Sequence, residues 1–102
     1  MPAKLQSQMK SLPKTLARRW FVHGRVHGVG FRWFVQRCAR EIGLTGWVRN
    51  EDDGTVQAYA VGTEEQLDRL AGLLHKGPAV SDVRSLDQAE ASVETHRSFE
   101  IR

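Results

Sequence analysis

Residues 19–43, RWFVHGRVHGVGFRWFVQRCAREIG, decide the fold, because the period of the apolar residues changes within them. Over 19–26 it is two, with Trp20, Val22, Gly24 and Val26 on one face, the pattern of a strand covered on one side. From Phe31 onward, Phe31, Phe34, Val35, Cys38 and Ile42 recur at helical spacing, with Arg37, Arg40 and Glu41 between them. Gly43 stops that helix, and the loop HGVG at 27–30 joins the two patterns.

Downstream the signals stay local and clear. TGWVRN at 45–50 reads as a second strand, and Asp53-Gly54 is a strong hairpin turn. TVQAYAV at 55–61 follows as the third strand, with Val56, Ala58 and Ala60 on its inner face. Thr63 is a good N-cap with Gln66 three residues on, and Glu64 and Glu65 suit the start of a helix dipole. Leu67, Leu70, Ala71 and Leu74 form that helix's buried stripe, and Gly77-Pro78 ends it. Val80 to Leu86 is a fourth strand of weaker pattern, and Ser98 to Ile101 closes the chain as a short strand. The order β-α-β-β-α-β predicts an α+β, ferredoxin-like split β-α-β sandwich, two helices on one face of a four-stranded antiparallel sheet. Such a fold carries enzymes, RNA binders and ligand sensors alike, so the site must decide the function.

Residues 1–17 are polar, contain Pro2 and Pro13, and hold no period; they read as a flexible extension ahead of one domain at 18–102. Residues 1–40 hold nine basic residues and no acid, whereas the remainder holds six basic and twelve acidic ones. The two parts therefore carry +9 and −6, in keeping with the net charge of +3. Much of this asymmetry is an ordinary solvated face. Four of the nine charges nevertheless flank the glycine-rich loop, which points to an anion. The single cysteine excludes an internal disulfide framework, and no apolar run reaches the length of a membrane span or a signal peptide. Cytoplasm is the expected compartment, and a monomer the simplest state.

The segment Gly24-Arg25-Val26-His27-Gly28-Val29-Gly30-Phe31-Arg32 carries the chemistry. Glycines between a strand and a helix let backbone N–H groups converge, and the helix start adds its own unpaired donors. Arg32, in the first turn, can lay a planar fork of donors over the same anion. No Gly-Lys-Ser/Thr follows, so this is not a nucleotide P-loop, and it lacks the parallel unit and acid of a dinucleotide site. On these residues alone, a plain tight turn with a solvated arginine accounts for the segment equally well. Asn50 likewise reads as a turn-starter before Asp53-Gly54.

GRVHGVGFR at 24–32, GWVRN at 46–50, Asp53-Gly54-Thr55-Val56, Gly77-Pro78 and Phe99-x-Ile101 together resemble the acylphosphatase family, in register over roughly residues 18–102. The resemblance implies a hydrolase of the carboxyl–phosphate anhydride bond. It implies that backbone N–H groups of His27, Gly28, Val29, Gly30 and Phe31 bind the phosphoryl group with Arg32, and that Asn50 orients the attacking water. It further implies a small-molecule acyl phosphate as substrate, inorganic phosphate as product and inhibitor, and no metal or cofactor. His27 departs from the pattern, which usually has glutamine there.

The remaining candidates read as structural. Cys38 lies on the helix stripe and is expected in the core. His23 is expected on the sheet face turned away from the helices, and His75 and His96 on the surface. None has ligand-type spacing with Cys or acidic partners, so no metal site is expected. Trp33 falls off the stripe, either packing on the tail or bordering the site, while Arg25 and Arg49 are candidates to widen the positive field. The aromatic Lys/Arg-Gly-Phe run of RNA-recognition sheets is absent, so no nucleic-acid partner is expected.

Overall fold

A computed structural model describes residues 13–102. The chain runs β1 (Leu16–Arg25), α1 (Phe31–Ile42), β2 (Thr45–Asn50), β3 (Val56–Gly62), α2 (Glu64–Lys76), β4 (Asp82–Ala91) and β5 (Phe99–Ile101). Helix α1 starts and stops at the residues its period predicts, and Gly43 caps it by donating to the carbonyls of Ala39 and Arg40. In α2 the expected capping box is complete. The Thr63 hydroxyl accepts from the Gln66 N–H, and the Gln66 side chain accepts from the Thr63 N–H.

The sheet corrects the expected architecture. It has five strands in the order β4-β1-β3-β2-β5, not four, and it is mixed. The pairs β1–β3, β1–β4 and β2–β3 are antiparallel, but β5 lies parallel to β2, with Gly46 opposite Phe99 and Val48 opposite Ile101. The physical reason is the route of the chain: β4 sits at one edge of the sheet and β5 at the other, so 92–98 must cross between them. A three-residue strand has no internal period from which its partner or direction can be read.

Strand β4 is longer than its apolar pattern predicts. It is an edge strand of which only Val83, Leu86 and Ala91 are half-buried hydrophobics, so Asp87 to Glu90 carry no alternation and are held by ladder pairing with β1. Strand β1 begins at Leu16, two residues inside the stretch read as an extension, and Ala17 is buried. Residues 1–12 of that stretch lie outside the described residues.

The main core lies between the helices and the sheet. Trp20, Val22, Val48, Val56, Ala58 and Ala60 from the strands meet Phe31, Val35, Cys38 and Ala39 of α1 and Leu67, Leu70 and Leu74 of α2. Each of these larger side chains contributes roughly 1.5–3 kcal/mol relative to exposure. On the far face Trp47 stacks on Tyr59 with ring centroids 5.8 Å apart. Residues 92–96 cover that pair: the Tyr59 hydroxyl donates to the Ser92 carbonyl and accepts from the Glu94 N–H. His96, expected at the surface, is half-buried there, its ring 5.7 Å from that of Tyr59.

Candidate active site

The loop between β1 and α1 opens on a pocket of about 150 Å³ lined by Val26, Gly28, Gly30, Phe31, Arg32, Trp33, Asn50 and Ile101. Two glycines shape it. Gly28 and Gly30 have φ of 70° and 72°, left-handed values that strain any residue with a Cβ. Gly30 is also the N-cap of α1, so the helix has no capping side chain, and no acid stands in its first turn. Its carbonyl accepts the first helical bond, from the Phe34 N–H. Among the described residues, the N–H groups of His27 to Phe31 find no protein acceptor. Free loop donors, an uncapped helix start and the positive end of the helix dipole therefore coincide.

Arg32 stands in that first turn with its side chain exposed, and among the described residues it enters no ion pair or hydrogen bond. Asn50 reaches the same pocket from the end of β2. Its Oδ1 is buried and has no hydrogen-bond partner among the described residues, a costly state unless something polar meets it. The fold thus brings together Arg32, Asn50, Gly28, Gly30 and Phe31, which come from two separate sequence segments.

His27 and Val29 do not line the pocket; they brace the loop from behind. Val29 packs against the core, and the His27 ring turns away to the β2–β3 hairpin, its Nε2 2.8 Å from the Thr55 carbonyl oxygen. That oxygen also accepts from the Glu51 N–H at 2.9 Å. Asp53 holds the turn by accepting from the Thr55 hydroxyl at 2.7 Å and from its N–H at 3.0 Å. These two bonds keep the Asp53 carboxyl below its ordinary pKa. The hairpin that begins one residue after Asn50 is therefore fastened to the glycine loop between β1 and α1 through Thr55.

Neither neighbouring arginine lines the pocket. Arg49 lies over the Trp47 ring, with Nε 2.7 Å from Glu51, and Arg25 donates to the Val80 carbonyl. Cys38 is in the core as expected, and His23 pairs with Asp87 at 2.7 Å. Among the described residues no three His, Cys, Asp or Glu side chains gather as metal ligands, and no helix is long and apolar enough to cross a membrane. Trp33 borders the site, the second of its two expected placements. Val26, Ile101 and the Thr55 carbonyl were not anticipated. Ile101 arrives only through the parallel β2–β5 pairing, for which the sequence carries no local signal.

A family model for acylphosphatases matches residues 18–101. The chain belongs to the acylphosphatase family. It is 55% identical over 86 residues to an acylphosphatase of Solibacter usitatus, covering 84% of this chain and 90% of that one. The crystal structure of acylphosphatase from Bacillus subtilis superposes with a TM-score of 0.83 at 42% identity, over 85% of this chain and 98% of that one. An acylphosphatase structure from Coxiella burnetii gives the same TM-score at 34% identity, over 86% of this chain and 93% of its own. These likenesses span the two helices, the mixed sheet and the loop that carries the pocket.

Proposed function

We propose that this acylphosphatase-family chain hydrolyses acyl phosphates by holding the phosphoryl group in the 27–31 loop under Arg32 while Asn50 positions water. The observation that carries the reading is the buried Oδ1 of Asn50, unpartnered among the described residues, in the pocket shared with Arg32 and the uncapped start of α1. The reaction converts an acyl phosphate dianion and water into a carboxylate and dihydrogen phosphate. Water oxygen bonds to phosphorus, the bond from phosphorus to the acyl oxygen breaks, and its electron pair leaves on the carboxylate.

A carboxylate leaves readily, so the chemistry asks chiefly for charge neutralisation and alignment. The arginine fork and the loop N–H groups neutralise charge on the phosphoryl oxygens. Asn50 Oδ1 accepts a hydrogen bond from the water, and the amide NH2 has donors to spare for the phosphate. An amide is too weak a base to take the proton, so a phosphoryl oxygen of the substrate receives it. Inorganic phosphate fits the same loop and inhibits competitively. The chain works on small molecules, as a monomer and in the cytoplasm.

The test is turnover of benzoyl phosphate by the purified protein beside p-nitrophenyl phosphate, an ordinary monoester. Hydrolysis of the anhydride with little or none of the monoester supports the reading; no turnover of benzoyl phosphate overturns it.

A further inference from the structure

The pocket has an apolar side that phosphate binding does not use. Trp33, immediately after Arg32, is 61% exposed. It is off the buried stripe of α1, so packing of the helix does not require an aromatic residue there. The ring is held in place nonetheless: the Arg37 guanidinium, one turn along, lies 5.0 Å from its centroid, a cation–π distance. Ile101, 38% exposed, lines the same pocket from β5. It is fixed opposite Val48 by the parallel ladder and by the Arg102 N–H, which donates to the Val48 carbonyl at 2.8 Å.

Two exposed hydrophobic side chains thus border a pocket whose remaining lining is buried Val26 and Phe31, the loop glycines with their N–H donors, a guanidinium and an amide. A ligand suited to it is amphipathic, with an anion at one end and an apolar body at the other. In an acyl phosphate the acyl carbon is only two bonds from phosphorus, so a phosphoryl group in the loop leaves the acyl group beside the pocket walls. Resting on the acylphosphatase reading above, we infer that Trp33 and Ile101 form an acyl-side wall. This wall makes the chain favour acyl phosphates with aromatic or branched apolar acyl groups over acetyl or carbamoyl phosphate. An aromatic acyl group lies against the indole and displaces water from it, whereas a methyl or amino group covers little of that surface.

The experiment compares kcat/KM for benzoyl and acetyl phosphate in the wild type and in Trp33→Ala, so that the intrinsic reactivities of the two substrates cancel. The benzoyl-to-acetyl ratio is expected to fall roughly tenfold, the scale on which one apolar contact discriminates substrates. Trp33→Phe keeps a ring and retains the ratio within about threefold. The inhibition constant of inorganic phosphate, which reads the loop without the wall, stays within about twofold in both variants. A ratio unchanged in Trp33→Ala overturns the wall. So does a phosphate constant that rises in step with the loss, since Trp33 would then serve the loop itself. A wild type that turns over neither substrate removes the acylphosphatase reading and the wall with it, whereas turnover with an unchanged ratio removes the wall alone.

Discussion

His27 Nε2 lies 2.8 Å from the carbonyl oxygen of Thr55, a contact that ties the loop between β1 and α1 to the hairpin following Asn50. A carbonyl only accepts, so Nε2 carries the hydrogen, and it does so in the neutral Nε2–H tautomer and in the charged ring alike. Protonation of the ring therefore leaves the brace intact. His27→Gln can keep a donor near the same place and is expected to hold turnover within about threefold, with a flat pH–rate profile from 6 to 8 in both proteins. His27→Ala loses the donor and is expected to slow turnover by about tenfold through misplacement of the loop. A neutral-range inflection in the wild type that vanishes in His27→Gln would show that the imidazole meets the substrate instead.

Arg32 is predicted to be irreplaceable by lysine. Arg32→Ala and Arg32→Lys are each expected to lose at least about a hundredfold in kcat/KM, because an ammonium is a point charge and cannot reproduce the planar fork. Inhibition by inorganic phosphate should weaken in Arg32→Ala. The side chain is exposed and among the described residues makes no ion pair or hydrogen bond, so thermal midpoints should stay near wild type.

Cys38 is predicted to be inert in the native state. Burial pushes its thiol above the ordinary range, against the lowering pull of Arg37. A raised value means that the folded chain keeps the proton at pH values where the unfolded chain has lost it. Its effect on stability is accordingly absent below the ordinary thiol range and becomes a loss as pH rises through it. Alkylation by iodoacetamide at pH 8 should be at least about a hundredfold slower in buffer than in denaturing urea.

The parts of this molecule that were legible in the sequence are those fixed by neighbours along the chain. The period of Phe31 to Ile42, the Gly43 stop and the Thr63–Gln66 capping box each fall within a few residues, and the structure reproduces them. The glycines of the loop were equally visible, since Gly28 and Gly30 announce backbone that other residues resist. What escaped depends on pairing across the sheet. The parallel placement of β5 brings Ile101 to the pocket, and a three-residue strand cannot signal it. The Thr55 carbonyl belongs to the backbone and has no side-chain signature at all. His96 was misjudged because the ring that covers it, Tyr59, is 37 positions away by the numbering of the chain.

Removing residues 1–17 is expected to destabilise the fold, because the cut takes Leu16 and Ala17 out of β1. These two pair with Gly62 and Val61 of β3, and Ala17 pairs also with Ala91 of β4. A loss of about 1 kcal/mol lowers the Tm of a domain this size by about 4–8 °C, which a thermal melt resolves readily. Removing residues 1–12 alone keeps both ladder positions and should spare that loss.

On the reading proposed above, Asn50 chiefly positions the attacking water, while Arg32 and the loop N–H groups carry most of the hold on the phosphate. The most direct measurement is kcat for benzoyl phosphate in Asn50→Ala, taken beside the inhibition constant of inorganic phosphate and the thermal midpoint. We predict that kcat falls by at least about a hundredfold, the scale for removing one preorganised polar contact, while phosphate inhibition and Tm change little. Turnover near the wild-type rate in Asn50→Ala would contradict the account.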